Sequence, residues 1–336
     1  MKIITTTGYG GTGSSAISDL LKEFKNCYSY GNFEFRFLQD PDGIMDLEYK
    51  LVENINRLNN DTAIKRFKKY CKLISNNNGW WCDYNNIFEG QFNDLTKKYI
   101  ENLINFSWQG SWHQDEVSGE NKITYKAIIY RIMRALKLKK YLTKNEKMYF
   151  SMPKENFYLY TREYLKELFQ ILNKENKEYL VLDQLVPALN TKKYMKYFDN
   201  IKVIIVDRDP RDLYIINKEF WNEGWIPSDI EIYIQWYKLL RENKESDRNI
   251  LYLKFEDLIY KYENTLDEII KFLNESRKNH INKMKFFNPA VSKNNTQLFL
   301  SFNKYKKEVE KIERELGEYC YKFDKMLSKT DVNKIF

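Results

Sequence analysis

Short runs of β-branched and aliphatic residues alternate along this chain with stretches of helical periodicity. Residues 2–7 (KIITTT) read as a strand and residues 8–13 (GYGGTG) as a glycine-rich loop. From Ser14 onward Ala16, Ile17, Leu20, Leu21 and Phe24 share one helical face, so the chain opens on a strand, a glycine loop and a helix. From about 45 to 172 the pattern is mainly helical and polar, rich in Lys, Asn and aromatics, and no strand stands out. The asparagine-rich stretch 76–79 marks a loop there, and Tyr164, Leu165, Leu168, Phe169 and Leu172 keep helical spacing. Strands return at 179–183 (YLVLD), 202–207 (KVIIVD) and 250–255 (ILYLKF). Continuous Val/Ile/Leu runs of this kind are strands covered on both faces, which predicts a parallel sheet. Helical patterns intervene at about 229–241 and 265–273. From Asn303, residues Tyr305, Val309, Ile312, Leu316 and Phe323 predict a helix docked on the body. No internal repeat is visible. The expected fold class is α/β, a central parallel sheet flanked by helices, with a mainly helical insertion over 45–172.

Composition narrows the setting. With 43% hydrophobic and 30% charged residues, 12 Gly and 6 Pro in 336 residues, the chain is neither collagenous nor largely disordered. No apolar run approaches the ~20 residues that span a bilayer, and the stretch 127–133 already contains Arg131. MKIITTT leads straight into the glycine loop and leaves no room for a signal-peptide core, so a soluble cytoplasmic protein is expected. The net charge of +8 fits a solvated Lys-rich surface, nucleic acid, an acidic membrane face or a small anionic ligand. Basic residues are scattered among acids and asparagines, as in RLNNDTAIKRFKKY, and form no block of six, which argues against a nucleic-acid stripe. The four cysteines, Cys27, Cys71, Cys82 and Cys320, show no CxxC spacing, and His113 and His280 are the only histidines. Free thiols in a reducing compartment are expected, and no zinc site.

The glycine loop admits three readings. Gly8-Tyr9-Gly10-Gly11-Thr12-Gly13 matches the dinucleotide fingerprint G-x-G-x-x-G between a strand and a helix. The acid that should follow about 20 residues later is not clear, and Glu34, within NFEFRF, is the nearest. The same residues form a P-loop skeleton, Gly8-x-x-x-x-Gly13-Ser14-Ser15, in which Ser14 replaces the lysine that contacts the β/γ-phosphates of an NTPase. Without that lysine, backbone N–H groups and two hydroxyls at a helix N-terminus still suit a 5′-phosphate. The third reading is a tight turn that needs glycine for its backbone alone.

A second anchor follows the strand 202–207. Asp207-Arg208-Asp209-Pro210-Arg211-Asp212 places two arginines and three aspartates at a strand's carboxyl end, where open α/β sheets bind ligands. Arg208 is positioned to fork onto a phosphate, whereas Arg211 and Asp212 can pair with each other and cap the next helix. Two phosphate anchors describe a nucleotide with separate 5′ and 3′ phosphates. With this, the sequence resembles the sulfotransferases that use 3′-phosphoadenosine 5′-phosphosulfate (PAPS). Thr12-Gly13-Ser14-Ser15 is similar to their 5′-phosphosulfate loop, and Arg208-Asp209-Pro210-Arg211-Asp212 to their R-[DN]-P-[RK]-D signature for the 3′-phosphate. Leu253-Lys254-Phe255-Glu256-Asp257-Leu258 with 265–273 resembles their [YF]-E-D-L strand end and following helix, and Ser292-Lys293-Asn294-Asn295 their late nucleotide-covering loop. Within the family, the loop is most similar to bacterial members with G-G-[ST]-G-S-S, often associated with surface polysaccharides.

The resemblance implies one P-loop NTPase-like sulfotransferase domain over 1–336, since the glycine loop and RDPRD must share a sheet. Residues 45–172 are not covered and are expected to bind the acceptor. It further implies PAPS as cofactor, with 3′,5′-adenosine bisphosphate as product, held by Gly10, Gly11, Thr12, Gly13, Ser14, Ser15, Arg208, Asn217, Ser292, Lys293 and Asn294. No metal is expected, because a sulfuryl group carries less charge than a phosphoryl group. The acceptor is expected to be a hydroxyl of a carbohydrate or lipid-linked sugar, with peripheral membrane contact and no nucleic acid. Two positions depart from the family pattern. Gly11 stands where many members carry a lysine, with Lys126, Arg131 and Lys293 as substitutes, and Ile216 stands where a serine contacts the 3′-phosphate, with Asn217 beside it. Sulfuryl transfer needs a base for the acceptor hydroxyl. His113 (in GSWHQDE), Asp183, followed by Gln184 at a strand end, and Glu34, near Arg36, are the candidates. Trp80, Trp81, Trp108 and Trp112 suit stacking on sugars or adenine, although aromatics mostly build core. A Rossmann oxidoreductase, a small-molecule kinase, and a catalytically inactive nucleotide- or glycan-binding protein are the rival readings.

Overall fold

The aliphatic and threonine-rich runs pair as strands in the computed structural model, which describes residues 1–77, 83–110, 123–138, 146–221 and 224–327. The chain forms two compact units, residues 1–36 with 173–336, and residues 37–172.

In the first unit, β1 (Lys2–Gly8), β2 (Cys27–Glu34), β5 (Tyr179–Asp183), β6 (Ile201–Asp207) and β7 (Ile250–Lys254) form one sheet in the order β2-β5-β1-β6-β7. Every adjacent pair is parallel, with Thr6 opposite Asp183 and Gly8 opposite Val206. The expected α/β architecture, a central parallel sheet flanked by helices, is therefore present. The strand order also decides between two readings of the glycine loop. A dinucleotide-binding fold pairs its first two strands directly, whereas here β5 lies between β1 and β2.

Helix α1 (Ser14–Leu21) buries Ile17, Leu20 and Leu21 against Ile4, Val181, Ile204 and Val206. A second cluster gathers Leu213, Ile216, Tyr233, Tyr237, Val309 and Ile312 from α6 (Pro210–Ile216), α7 (Ile230–Leu239) and α9 (Lys306–Glu315). Helix α8 (Tyr262–Leu273) packs with the first cluster. The C-terminal helix is shorter than its periodicity predicts. It stops at Glu315 ahead of Gly317, and Phe323 reaches the second cluster from irregular chain.

In the second unit, α2 (Arg57–Ser75), α3 (Phe92–Leu103) and α5 (Asn156–Leu172) are joined through aromatic side chains. Tyr99 and Tyr164 stack at 4.6 Å, and their hydroxyls pair with Thr161 and Thr96 at 2.8 and 2.7 Å. This unit also holds the helix α4 (Ile123–Ala135) and an antiparallel ribbon of β3 (Phe106–Gly110) and β4 (Glu146–Phe150), where the sequence pattern gave no strand. Side chains of α2 supply the ribbon's missing edge. The Tyr149 N–H donates to Asp61 and the Ser151 N–H to Asn60, both at 2.8 Å.

The tip of β6 is tied down by a buried ion pair. Arg241 donates from Nε and Nη2 to Asp207 at 2.7–3.1 Å, and its guanidinium lies against the rings of Tyr237 and Tyr9. Removing one partner of such a pair leaves a buried charge unmatched, at a cost of about 3–5 kcal/mol. Arg241→Met is expected to lower stability by about that amount in urea unfolding; a loss under about 1 kcal/mol would mean that water reaches Asp207.

Candidate functional site

A cleft of about 560 Å³ opens at the carboxyl edge of the sheet, inside the first unit. Its lining joins Gly11, Gly13, Ser14 and Ser15 to the strand-end residues Glu34, Asp183, Gln184 and Arg208. Trp221, Phe255, Phe286, Phe287, Asn288, Ser292 and Asn295 complete much of the wall.

The loop delivers a bare helix end. Gly13 is the N-cap of α1 at φ 98, no side chain caps the helix, and no acid occupies its first turn. The first-turn N–H groups of a helix lack intrahelical acceptors and carry its positive pole, which is an anion-binding arrangement. A Cβ at Gly13 would lie 2.6 Å from the Phe255 ring, and one at Gly11 (φ 64) would collide with the indole of Trp221. Trp221 and Trp225 lie beside the loop with ring centroids 5.3 Å apart and planes tilted by 30°, so the space over Gly11 and Gly10 is occupied by indole. Gly10 and Thr12 are outside the lining; Thr12 is buried and its hydroxyl accepts the Tyr9 N–H at 3.3 Å.

On the strand side, Thr6 Oγ1 donates to Asp183 at 2.7 Å, and Gln184 bridges Thr7 and Ser14 at 3.0 Å each. Burial pushes the Asp183 carboxyl up to about 7, against hydrogen bonds from Thr6 and Ser14, with the nearby Glu34 charge adding to the rise. Glu34 is half exposed and sits 3.7 Å from Arg36. Asp183 is thus a carboxyl that burial holds toward its protonated form, in a cleft it shares with Asp19, Glu34 and Arg208.

Arg208 is 3% exposed. One Nη donates to the Asn295 carbonyl, the guanidinium carbon lies 4.7 Å from the Phe255 ring centre, and the buried Nε has no partner among the described residues. It is the one cation among the described lining residues. The other RDPRD groups are engaged in structure. Arg211 binds Asp209 at 2.6 Å and Glu313 at 2.7 Å, not Asp212. Asp212 instead accepts the N–H groups of Gln297 and Leu298, each at 2.7 Å.

Several expected residues stand apart from the cleft. Asn217 is fully buried, and its amide donates to Ile226 O, Pro227 O and Ser228 Oγ at 3.2–3.4 Å, closing the segment that carries Trp221 and Trp225. It therefore builds the wall and is absent from the lining. Ser292 lines the cleft, but Lys293 and Asn294 do not; the Lys293 ammonium lies 5.8 Å from the Tyr260 ring centre. His113, Trp80, Trp81 and Trp112 lie outside the described residues, as does the side chain of Lys126. Arg131 and the half-exposed Trp108 belong to the second unit. Among the described residues, no group of three or more His, Cys, Asp or Glu is arranged to hold a metal ion.

The aromatic wall 286–287 was not visible as a site in the sequence. It is placed by Glu23, a fully buried carboxylate just past α1. Glu23 accepts the N–H groups of Met284, Phe286 and Phe287 at 2.9–3.0 Å and faces His280 Nε2 at 2.6 Å. Gly11→Ala tests the other wall. Positive φ and the Trp221 contact together should cost about 1–3 kcal/mol and shift the tryptophan emission; an unchanged spectrum and stability would place Trp221 away from the loop.

The chain matches no family model and no curated protein. Among solved structures it is similar to retinol dehydratase in complex with androsterone and the inactive cofactor PAP, at 15% identity and a TM-score of 0.36, over 96% of this chain and 83% of that one. A sulfotransferase from Mycobacterium avium aligns at 12% identity and a TM-score of 0.38, over 98% and 78% of the two chains. The sulfotransferase domain from the curacin biosynthetic pathway aligns at 12% identity and a TM-score of 0.38, over 94% and 97%.

Proposed function

We propose that the first unit binds PAPS and transfers its sulfuryl group to a hydroxyl, the acceptor being a glycan or lipid-linked sugar. The observation that carries this reading is one cleft holding both an uncapped helix N-terminus, at Gly13-Ser14-Ser15, and a buried arginine whose Nε has no partner among the described residues, in the RDPRD segment that follows β6. These are two anion receptors on different strands, which suit the two phosphate positions of such a nucleotide. The residues fit the cofactor: Ser14, Ser15 and the loop backbone would hold its 5′ side, and Arg208 its 3′-phosphate. When bound, PAPS supplies the activated sulfuryl group.

This chain's own groups then have separate tasks. The first turn of α1 offers donors toward charge that develops on the leaving oxygen. Asp183, whose carboxyl ionises near pH 7, is the base that takes the acceptor proton, with Thr6 and Ser14 fixing its orientation. Gly11, in place of a lysine, favours a second reading, a nucleotide-binding protein without transfer activity.

Calorimetric titration with 3′,5′-adenosine bisphosphate, NAD and ATP, each without metal, separates the readings. The bisphosphate alone is expected to bind tightly; binding of NAD, or no binding of the bisphosphate, overturns the proposal. Arg208→Ala should remove the preference for the 3′-phosphorylated nucleotide, worth about 1.5–3 kcal/mol for a charged hydrogen bond, or roughly ten- to a hundredfold. If transfer of ³⁵S from PAPS to glycans is observed, its rate should rise with pH through about 7, because only the ionised Asp183 accepts a proton. A rate that is flat there, and unchanged in Asp183→Asn, assigns the base elsewhere; bisphosphate binding without any transfer supports the inactive binder.

A further inference from the structure

Helix α4 of the second unit carries an apolar face that stays exposed among the described residues. Ile128, Ile129, Ile132 and Leu136 are each 51–62% exposed. They recur at i, i+1, i+4 and i+8, so they form one stripe along the helix. The Leu136 N–H still bonds the Ile132 carbonyl at 3.0 Å, and Lys137, at φ 55, ends the run. Single exposed aliphatics need no explanation, but four on one stripe mark an interaction surface.

The charge of the same segment identifies the partner. Lys and Arg outnumber Asp and Glu only 55 to 47 over the whole chain, yet residues 121–140 carry basic side chains at 122, 126, 131, 134, 137, 139 and 140 and no acid. Arg131 and Arg134 fall on the helix side away from the isoleucines, and both are exposed. An apolar stripe on a helix whose charged residues are all basic is the pattern of a helix lying in an anionic lipid interface. A nucleic acid would neutralise the charge but leave the isoleucines in water. A second copy of the chain would cover the isoleucines but bring two acid-free basic segments together. The helix has 13 residues, about 20 Å at 1.5 Å per residue, short of the ~30 Å hydrocarbon core. It therefore lies on a bilayer and does not cross it.

We propose that α4 is a peripheral membrane-binding element that inserts Ile128, Ile129, Ile132 and Leu136 below anionic headgroups gripped by the basic residues around them. This stands independently of the nucleotide reading of the first unit. The test is flotation of the full chain with phosphatidylcholine vesicles, with and without phosphatidylglycerol. Binding is expected on the anionic vesicles only, weakening as salt is raised. Ile129→Ser/Ile132→Ser/Leu136→Ser and, separately, Arg131→Glu/Arg134→Glu should each lower it by at least about tenfold. Lys192→Glu/Lys193→Glu changes the net charge equally but should leave it within about twofold, since these lysines belong to the first unit and not to the α4 segment. All of these positions are exposed, so circular dichroism should show an unchanged fold. No vesicle binding, equal binding to neutral vesicles, or equal binding by the α4 variants overturns the proposal. Self-association lost in the isoleucine variant, without vesicle binding, assigns the stripe to a second copy instead.

Discussion

Buried carboxylates that accept backbone N–H groups hold the cleft together. The segments around the sheet's carboxyl edge are irregular, and buried N–H groups without acceptors are costly. Here the acceptors are acids. Glu23 takes three N–H groups of the 284–287 segment, and Asp212 those of Gln297 and Leu298. Asp209 takes those of Arg211 and Tyr321, while its own N–H goes to Glu256. Each clamp joins residues far apart in sequence, so the walls are set by side-chain chemistry where no ladder exists.

Asp209, together with Asp207 and Glu313, also determines which cations remain for a ligand. Asp209 and Glu313 neutralise Arg211, and Asp207 neutralises Arg241. Arg208 donates to a carbonyl and lies against an aromatic face, and burial lowers its pKa against the opposing charges of Asp212, Glu256 and Asp209, none of which forms an ion pair with it among the described residues. A guanidinium kept in that condition is stabilised by any anion that reaches it. Burial also pushes the Glu256 carboxyl up, and its Oε2 has no partner among the described residues, so the ground beneath Arg208 is itself reluctant to carry negative charge.

Legibility in the sequence followed burial. The strands 179–183 and 202–207 were plain because both faces are covered, which keeps the runs YLVL and VIIV apolar up to the aspartate that ends each strand. The β3–β4 ribbon was hidden because β3 is largely exposed and β4 leans on Asn60 and Asp61, which look like ordinary helix-surface residues. In the site, Gly13, Ser14 and Ser15 were singled out by the glycine-loop motif and Asp183 and Arg208 by their strand-end positions, and all five line the cleft. Asn217 was read as a ligand contact because its neighbour departs from the family pattern, but its amide was needed by three groups of its own loop. Trp221 carried no motif: its place over Gly11 follows from a turn that sequence periodicity does not describe.

The sheet order has a consequence for how the protein is made. β1 is the central strand and precedes the other strands of its sheet in the chain, yet its neighbours β5 and β6 begin at Tyr179 and Ile201. A hydrophobic, threonine-rich strand thus waits while roughly 200 further residues are synthesised, about 10–40 s at 5–20 residues per second, before both edges can pair. During that time α1 is its only local cover. Residues 37–172, contiguous in sequence and compact by themselves, are in a position to fold within that interval, before the sheet on either side of them in the chain can close.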